Sequence, residues 1–484
     1  MQPIGELKKI VSLVDRSAFD DFVYPKDSET TKFQPVVKPY HNFTQETVVW
    51  PFIGSPEWGK RITFTVPWPY QGDFLNWIVL RLKPLSWLPP NVIQHLGPTL
   101  QDWDLINGAP PNDYKNNFFI WANNLGTASI ALVEMEVDGV IVEQFSGDWM
   151  NVWNRTHHSV SHAVPWDDVV FGSYTQPPSL NNMVPSEDGY VYCYLPFWFS
   201  RWINTAFPIV SVKGPDTVRF HITLKPFKDM VRKIVNPRSC DEVPMNTSFV
   251  SQPTTPNTEP ITTIIQGFIP TFEAADIIAG ISYIDDPLRK AYVESPHELM
   301  MSPVVETTFG EPLKYVMNKA QTGDSISIQL PLVANGPIRQ ILFFLRRNAI
   351  SQYNEWNNYS ATLSSEVDPV WNPQRPLLKH AVLQVGTATW ADESEQWWRQ
   401  SANTPMPGGI RGSADFIYGY NFAEKPTDFG PSGSVNASRI DMRLTLTVTP
   451  PGGASDGEWS VKVFFIGTNW MRFQNSLANQ LFMD

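Results

Sequence analysis

The sequence predicts an all-β protein folded as two sandwiches, and three observations carry that prediction. Its 43 prolines are spread along the whole of its 484 residues, and each interior proline costs a helix about 3 kcal/mol, which argues against long helices. Near the C-terminal end, Met442, Leu444, Leu446 and Val448 alternate with Arg443, Thr445 and Thr447, the period of a half-buried strand. Further upstream, Val133, Met135 and Val137 alternate with Glu134 and Glu136 and run into Asp138-Gly139, a preferred two-residue hairpin turn, before Val140 to Glu143 leads back. The length exceeds what one core serves, so two large domains are expected. Hydrophobic residues at 42% are enough to fill them.

Taken in order, residues 1–45 are mixed and proline-punctuated and predict an extended arm, with a short amphipathic turn at Leu7 to Val14. Strands are predicted at Arg61 to Val66 and Asn76 to Lys83. The segment from Pro84 to Asn124, rich in Pro, Asn, Asp and Gly and carrying Trp87, Trp103 and Trp121, reads as a long excursion. After the hairpin come Phe145, Gly147, Asp148, Trp149 and Trp153, then a loop-like stretch from Val160 to Glu187. Tyr190 to Ser200 and Arg219 to Lys225 are strand-like. Residues 231–262, dominated by Ser, Thr, Pro and Asn after a basic start, read as a linker. This divides the chain into an arm (1–45), a first domain (46–230), the linker (231–262) and a second domain (263–484). In the second domain the strands fall at Ser325 to Val333, Ile338 to Arg346, Lys379 to Val385, Phe416 to Phe422, Met442 to Val448 and Trp459 to Ile466. Strands separated by long Pro- and Trp-rich insertions suit a jelly roll in each half.

Composition excludes several function classes. A net charge of -12 opposes wrapping of a phosphate backbone. Two cysteines, Cys193 and Cys240, are too few for a disulfide framework and read as reduced thiols. With no apolar segment of signal-peptide or membrane-spanning length, the expectation is a soluble product of the cytoplasm. No P-loop, GxGxxG or GxSxG motif is present. His297-Glu298-Leu299-Met300-Met301 begins like a zinc-protease helix, but Met301 stands where the second histidine is needed. His157, His158 and His162, with Asp167 and Asp168 nearest, lack a fourth placed ligand for a closed metal site. Asp102 and Asp104 could be drawn as a glycosidase pair, but sequence does not give their separation. Neither a catalytic residue nor a cofactor or metal site is expected. The 19 tryptophans read as core or subunit-interface anchors, with interface favoured. The basic cluster Lys228, Arg232, Lys233 and Arg238 reads equally as a lipid-facing patch and as a solvated linker. Five Asn-x-Ser/Thr triplets, at Asn42, Asn154, Asn246, Asn358 and Asn436, are expected to be unmodified in a cytoplasmic product.

One further motif is more specific. Pro431, Ser432 and Gly433 form a turn, followed by Asn436, Ser438, Arg439 and Asp441 just before the alternating strand. This resembles the C-terminal signature of the major capsid proteins of nucleocytoplasmic large DNA viruses, the family found in iridoviruses, phycodnaviruses, mimivirus-like viruses and African swine fever virus. Three other places resemble the same family, in the right order: Gly147-Asp148-Trp149 after the hairpin; Leu195, Pro196, Phe197, Trp198 and Phe199 leading to the strand that ends at Lys225-Pro226-Phe227; and Asp285, Asp286, Arg289, Tyr292 and His297-Glu298. The family's His-Glu pair before the last strand of the first jelly roll is replaced here by Pro215 and Asp216.

The resemblance implies two tandem eight-stranded jelly rolls with long inter-strand loops and an N-terminal arm. It implies a structural role without catalysis: three chains form a pseudo-hexameric capsomer, and capsomers tile the icosahedral shell of a virion assembled in host cytoplasm. Partners implied are the chain itself, neighbouring capsomers, minor capsid proteins and an internal membrane, with no direct nucleic-acid contact. Two rival functions stay open, a minor-capsomer or scaffold paralogue and a carbohydrate-binding or cupin-like sandwich. The motif residues are expected to act structurally, with Arg439 and Asp441 partly buried and paired.

Overall fold

The computed structural model describes residues 41–52, 54–85, 119–157, 189–234, 258–260, 270–310, 325–350, 354–363, 374–401, 416–426, 430, 432–449 and 458–481. Phe43–Asp484 forms one compact unit. The arm below residue 41, including Leu7 to Val14, most of the excursion and the middle of the linker lie outside the described residues.

Among the described residues, three four-stranded sheets and one five-stranded sheet make two sandwiches. In the first sandwich, one sheet runs Phe43–Pro51, Ala274–Ile284, Phe74–Lys83, Val191–Tyr194; the other runs Arg61–Thr65, Val218–Leu224, Ile130–Val137, Val140–Phe145. In the second, one sheet runs Val304–Phe309, Trp459–Gly467, Pro337–Arg347, Ile417–Asn421, with the short Val435–Asn436 added on Pro337–Arg347. Its partner runs Ile326–Leu332, Met442–Val448, Leu378–Val385, Ala388–Ser394. All pairings within these sheets are antiparallel, and most predicted strands fall within two residues of their expected limits. The hairpin turn forms as read, with Asp138 and Gly139 both at positive φ (51° and 81°), as a type I′ turn requires.

The alternation explains the burial. Met442, Leu444, Leu446 and Val448 are buried while Arg443 is exposed. Central strands differ: Trp459–Gly467 and Pro337–Arg347 are buried at almost every position, as expected where both faces of a sheet are covered. Nine of the described tryptophans, among them Trp121, Trp149, Trp198, Trp398 and Trp459, are buried in the chain's own core. The preference for an interface role is corrected for those. Trp68, Trp390 and Trp470 remain exposed.

Three features depart from the sequence reading. The strand Ala274–Ile284, assigned to the second domain, inserts between Phe43–Pro51 and Phe74–Lys83 of the first sandwich. Its Gly280 lies under the Trp77 indole, where a Cβ would stand 2.3 Å from the ring. The domain boundary at residue 263 is therefore displaced: by pairing, the first sandwich includes chain up to Ile284. Second, the ends of the expected linker are paired, since Val231–Ile234 bonds to both Phe119–Trp121 and Thr258–Pro260. Arg232 is only 1% exposed, so the basic cluster is not one solvent-facing patch. Third, the aromatic strand expected from Tyr190 to Ser200 stops at Tyr194, and Trp198–Ser200 is a single 3₁₀ turn.

Candidate functional site

No cluster of three His, Cys, Asp or Glu side chains among the described residues is placed to hold a metal ion; His158, His162, Asp102, Asp104, Asp167 and Asp168 lie outside them. Cys193 is buried, and burial pushes its thiol up. No helix of the described residues is long and apolar enough to cross a membrane. A network of largely buried ion pairs joins residues of the two sandwiches, which makes that junction the candidate site.

The junction is built from the Gly-Asp-Trp element. Gly147–His157 is a helix, and Asp148 at its start suits the positive end of the helix dipole. Gly147 allows the helix to touch the neighbouring segment, because a Cβ there would stand 1.9 Å from the Thr127 carbonyl oxygen. Trp149 is fully buried, 5.4 Å from the ring of Phe464 in the second sandwich, with the Arg201 guanidinium over its face at 5.7 Å. Asp148 accepts two hydrogen bonds from Arg346, at 2.5 and 2.8 Å, and one from Lys462 at 2.7 Å. Lys462 also pairs with Glu306 at 2.5 Å and donates to Ser146 Oγ at 2.9 Å. Ser146 donates from its backbone N–H and its hydroxyl to Glu306. Burial alone would raise the Asp148 carboxyl; the Arg346 and Lys462 charges outweigh it and hold that carboxyl well below the usual carboxylate range. Two carboxylates from different sandwiches thus share one lysine.

A second tie lies deeper. Glu143 accepts the Trp198 N–H at 2.9 Å and stands 3.5 Å from Arg201. Arg201 in turn donates to the carbonyl of Ser302, on the chain leading into the second sandwich, at 2.9 Å. Burial pushes the Glu143 carboxyl up to about 7 even with Arg201 beside it. The Pro196 carbonyl accepts from Arg201 at 3.5 Å, and the buried Phe197 and Phe199 stack with centroids 5.5 Å apart and both meet Phe220.

A third tie uses the Asp285 to Glu298 segment. Asp285 stands at the start of the helix Asp286–Glu294, with Pro at its first turn. Arg289 reaches the buried carboxylate of Asp73 at 2.8 Å, and Tyr292 meets Phe74 edge-on. His297 stacks on Phe473 at 4.9 Å, and Glu298 pairs with Arg472 across the same two strands. These strands, His297–Met301, Asn469–Gln474 and Leu477–Gln480, form a small sheet. It clasps the first sandwich through Phe207 against Phe473, Ala478 N–H to Asp138, and Gln480 to the Val142 carbonyl.

The C-terminal motif is placed differently from expectation. Pro431 lies outside the described residues. The Ser432 hydroxyl accepts from Lys425 N–H and donates to the Lys425 carbonyl. Gly433, at φ 129°, passes so close to the Phe422 carbonyl that a Cβ would stand 2.9 Å from it. Asn436 accepts from Ser438 N–H, and Ser438 accepts from Gly336 N–H at 2.7 Å. Arg439 and Asp441, expected to be buried and paired, are exposed. The buried guanidinium at this turn is Arg339, which donates to the carbonyls of Lys425 and Gly430. An exposed side chain is well solvated without a partner, so nothing forces Arg439 into an ion pair. Arg439→Ala should therefore change unfolding free energy by no more than about 0.5 kcal/mol, and Ser438→Ala should lower it by about 1 kcal/mol through the lost hydrogen bond. Urea denaturation of the two variants measures the difference, and the reverse order would restore the charged-pair reading.

Sequence reasoning missed Arg346, Lys462, Glu306, Arg201 and Glu143. The signal was present. Lys462 interrupts Val461-Val463-Phe464-Phe465. A lone charge in a continuous apolar run is rarely buried without a partner.

Comparison with known proteins bears directly on this architecture. Residues 31–257 match the family described as the major capsid protein N-terminus. A major capsid protein of Pyramimonas orientalis virus is 21% identical over 472 residues, 95% of each chain, and one from Spodoptera frugiperda ascovirus 1a is 22% identical over 453 residues, 90% of this chain and 86% of that one. Along nearly its whole length the chain is similar to these two viral major capsid proteins. Its double jelly-roll fold matches PBCV-1 VP54, as fitted into a reconstruction of the virophage Sputnik, with a TM-score of 0.64 at 16% identity, covering 94% of this chain and all of that one. It matches the Faustovirus major capsid protein with a TM-score of 0.60 at 12% identity, over 97% and 96% of the two chains. Within this double jelly-roll fold, the junction residues described above join the two jelly rolls.

Proposed function

We propose that the chain is a shell-building capsid protein that assembles as a homotrimer, with six jelly rolls giving a pseudo-hexagonal capsomer outline. The observation that carries this reading is the whole-length match to capsid folds, two sandwiches included. Its physical support is the junction: a lattice tile must keep its two jelly rolls in fixed relation, and buried multi-centre ion pairs are specific in geometry even where they add little net stability. The chain works by assembly and not by turnover. Neighbouring capsomers, minor capsid proteins and an internal membrane are its proposed partners in a virion assembled in host cytoplasm, without direct nucleic-acid contact. The motif residues act structurally: Gly147, Trp149, Arg289 and His297 between sandwiches, and Ser432, Gly433, Asn436 and Ser438 within the second.

Light scattering of the purified chain is expected to give a trimer across micromolar concentrations, with an interface above roughly 2,000 Å² as in obligate assemblies. A monomer throughout that range would remove the capsomer reading. Copy number in purified particles separates a major from a minor capsomer protein.

A further inference from the structure

A cavity of about 360 Å³ opens beside the junction, lined by Ser146, Asp148, Lys225, Asp229, Arg346 and Lys462 together with Ile130, Ala131, Ile350 and Trp356. We propose that it is a binding site for a small oxyanion of the phosphate or sulfate class, held by Lys225 with Arg346 and Lys462 flanking. Lys225 Nζ sits 4.4 Å above the Trp356 ring. Among the described residues it makes neither a hydrogen bond nor an ion pair, although an ammonium carries three donors. The other two cations are already engaged by Asp148, and Lys462 by Glu306 as well. With Glu306 counted beside Lys462, three cations meet three carboxylates around the space, and Lys225 is the lining cation that holds no carboxylate in an ion pair. The apolar walls, with the Trp356 face beneath the amine, lower the local dielectric and strengthen attraction for an anion.

Burial pulls the Lys225 ammonium down to about 8, with Arg346 and Lys462 pushing in the same direction and Asp148 and Asp229 opposing. An anion beside the amine favours its charged form, so binding and protonation are linked. Affinity should weaken as pH rises through about 8. Sulfate is the suitable probe because it does not itself titrate there.

The test titrates sodium sulfate into the full chain in low-salt chloride buffer, read by calorimetry and by thermal shift against matched sodium chloride. Saturable single-site binding is expected, weakening as pH rises from roughly 7 to 9. Lys225→Met should lose at least about tenfold in affinity, and Asp229→Asn should gain severalfold by removing a lining carboxylate that competes for the Lys225 charge. Equal sulfate affinity in Lys225→Met and the native chain, or a sulfate response no larger than that of chloride, overturns the proposal. If Lys225→Met does not fold, Asp229→Asn decides: unchanged affinity there overturns it equally.

Discussion

Asp148→Ala is expected to lower the stability of the chain by about 3–5 kcal/mol, the range for removing one partner of a buried ion pair. The cost arises from what is left behind. Arg346 and Lys462, on adjacent strands of the second sandwich, would be left together with only Glu306 to share between them, and a buried cation without an anion is costly. Urea unfolding of the purified variant measures the loss directly, and a value under about 1 kcal/mol would show that solvent already screens the cluster. A pH consequence follows from the depressed Asp148 carboxyl. A carboxyl whose folded value lies below its unfolded one contributes stability that is fully present above the unfolded value, about 3.9 for aspartate, and lost as pH falls beneath it. The native chain should therefore lose stability steeply below about pH 4, and the Asp148→Ala chain should show a shallower slope there. Parallel acid profiles would assign acid sensitivity to other carboxylates.

Gly147→Ala is the second change expected to be severe. On helix propensity alone it should help, since alanine is favoured over glycine by about 1 kcal/mol in a helix. The structure reverses the sign. A Cβ at this position would meet the Thr127 carbonyl carbon and oxygen at 2.9 and 1.9 Å and the Ile130 oxygen at 3.0 Å, all of them backbone atoms that no rotamer change can move aside. Overpacking of this kind costs about 1–3 kcal/mol, occasionally more, and here the displaced helix also carries Asp148 and Trp149 away from their partners in the second sandwich. A loss of about 3 kcal/mol or more in thermal or urea unfolding is expected, together with reduced capsomer yield. A variant as stable as the native chain would mean that the helix can shift without disturbing the junction.

Much of the fold was legible in the chain because strand formation is a local pattern. Met442 to Val448 announces its buried face by alternation, and Asp138-Gly139 announces its turn by the positive φ that both residues tolerate. Among the resemblance motifs, Gly147 closes on Thr127, Trp149 meets Phe464, Arg289 pairs with Asp73 and His297 stacks on Phe473. Their roles were not legible. Arg439 and Asp441 looked like a buried pair because charges at fixed spacing beside a turn often are, whereas the turn is held by Ser432 and Ser438 within the motif and by Arg339, which stands far earlier in the chain.

The all-β class, the alternating strands such as Met442–Val448, the hairpin turn and the resemblance to a capsid family were legible in the chain because they depend on residues near one another in sequence, whereas Phe43–Pro51, Val304–Phe309 and Ala388–Ser394 were not. Only the tertiary structure decided which strands pair. Ala274–Ile284 carries the same alternation whichever sheet receives it, and it was the closeness of Gly280 to Trp77 and the full-length register with Phe43–Pro51 that set it in the first sandwich. It also decided which charges meet. Asp148 lies about two hundred residues from Arg346 and over three hundred from Lys462, and no periodicity links them; they come together because both sandwiches bury their apolar faces, and a charge carried into that junction is stable only opposite its counterpart.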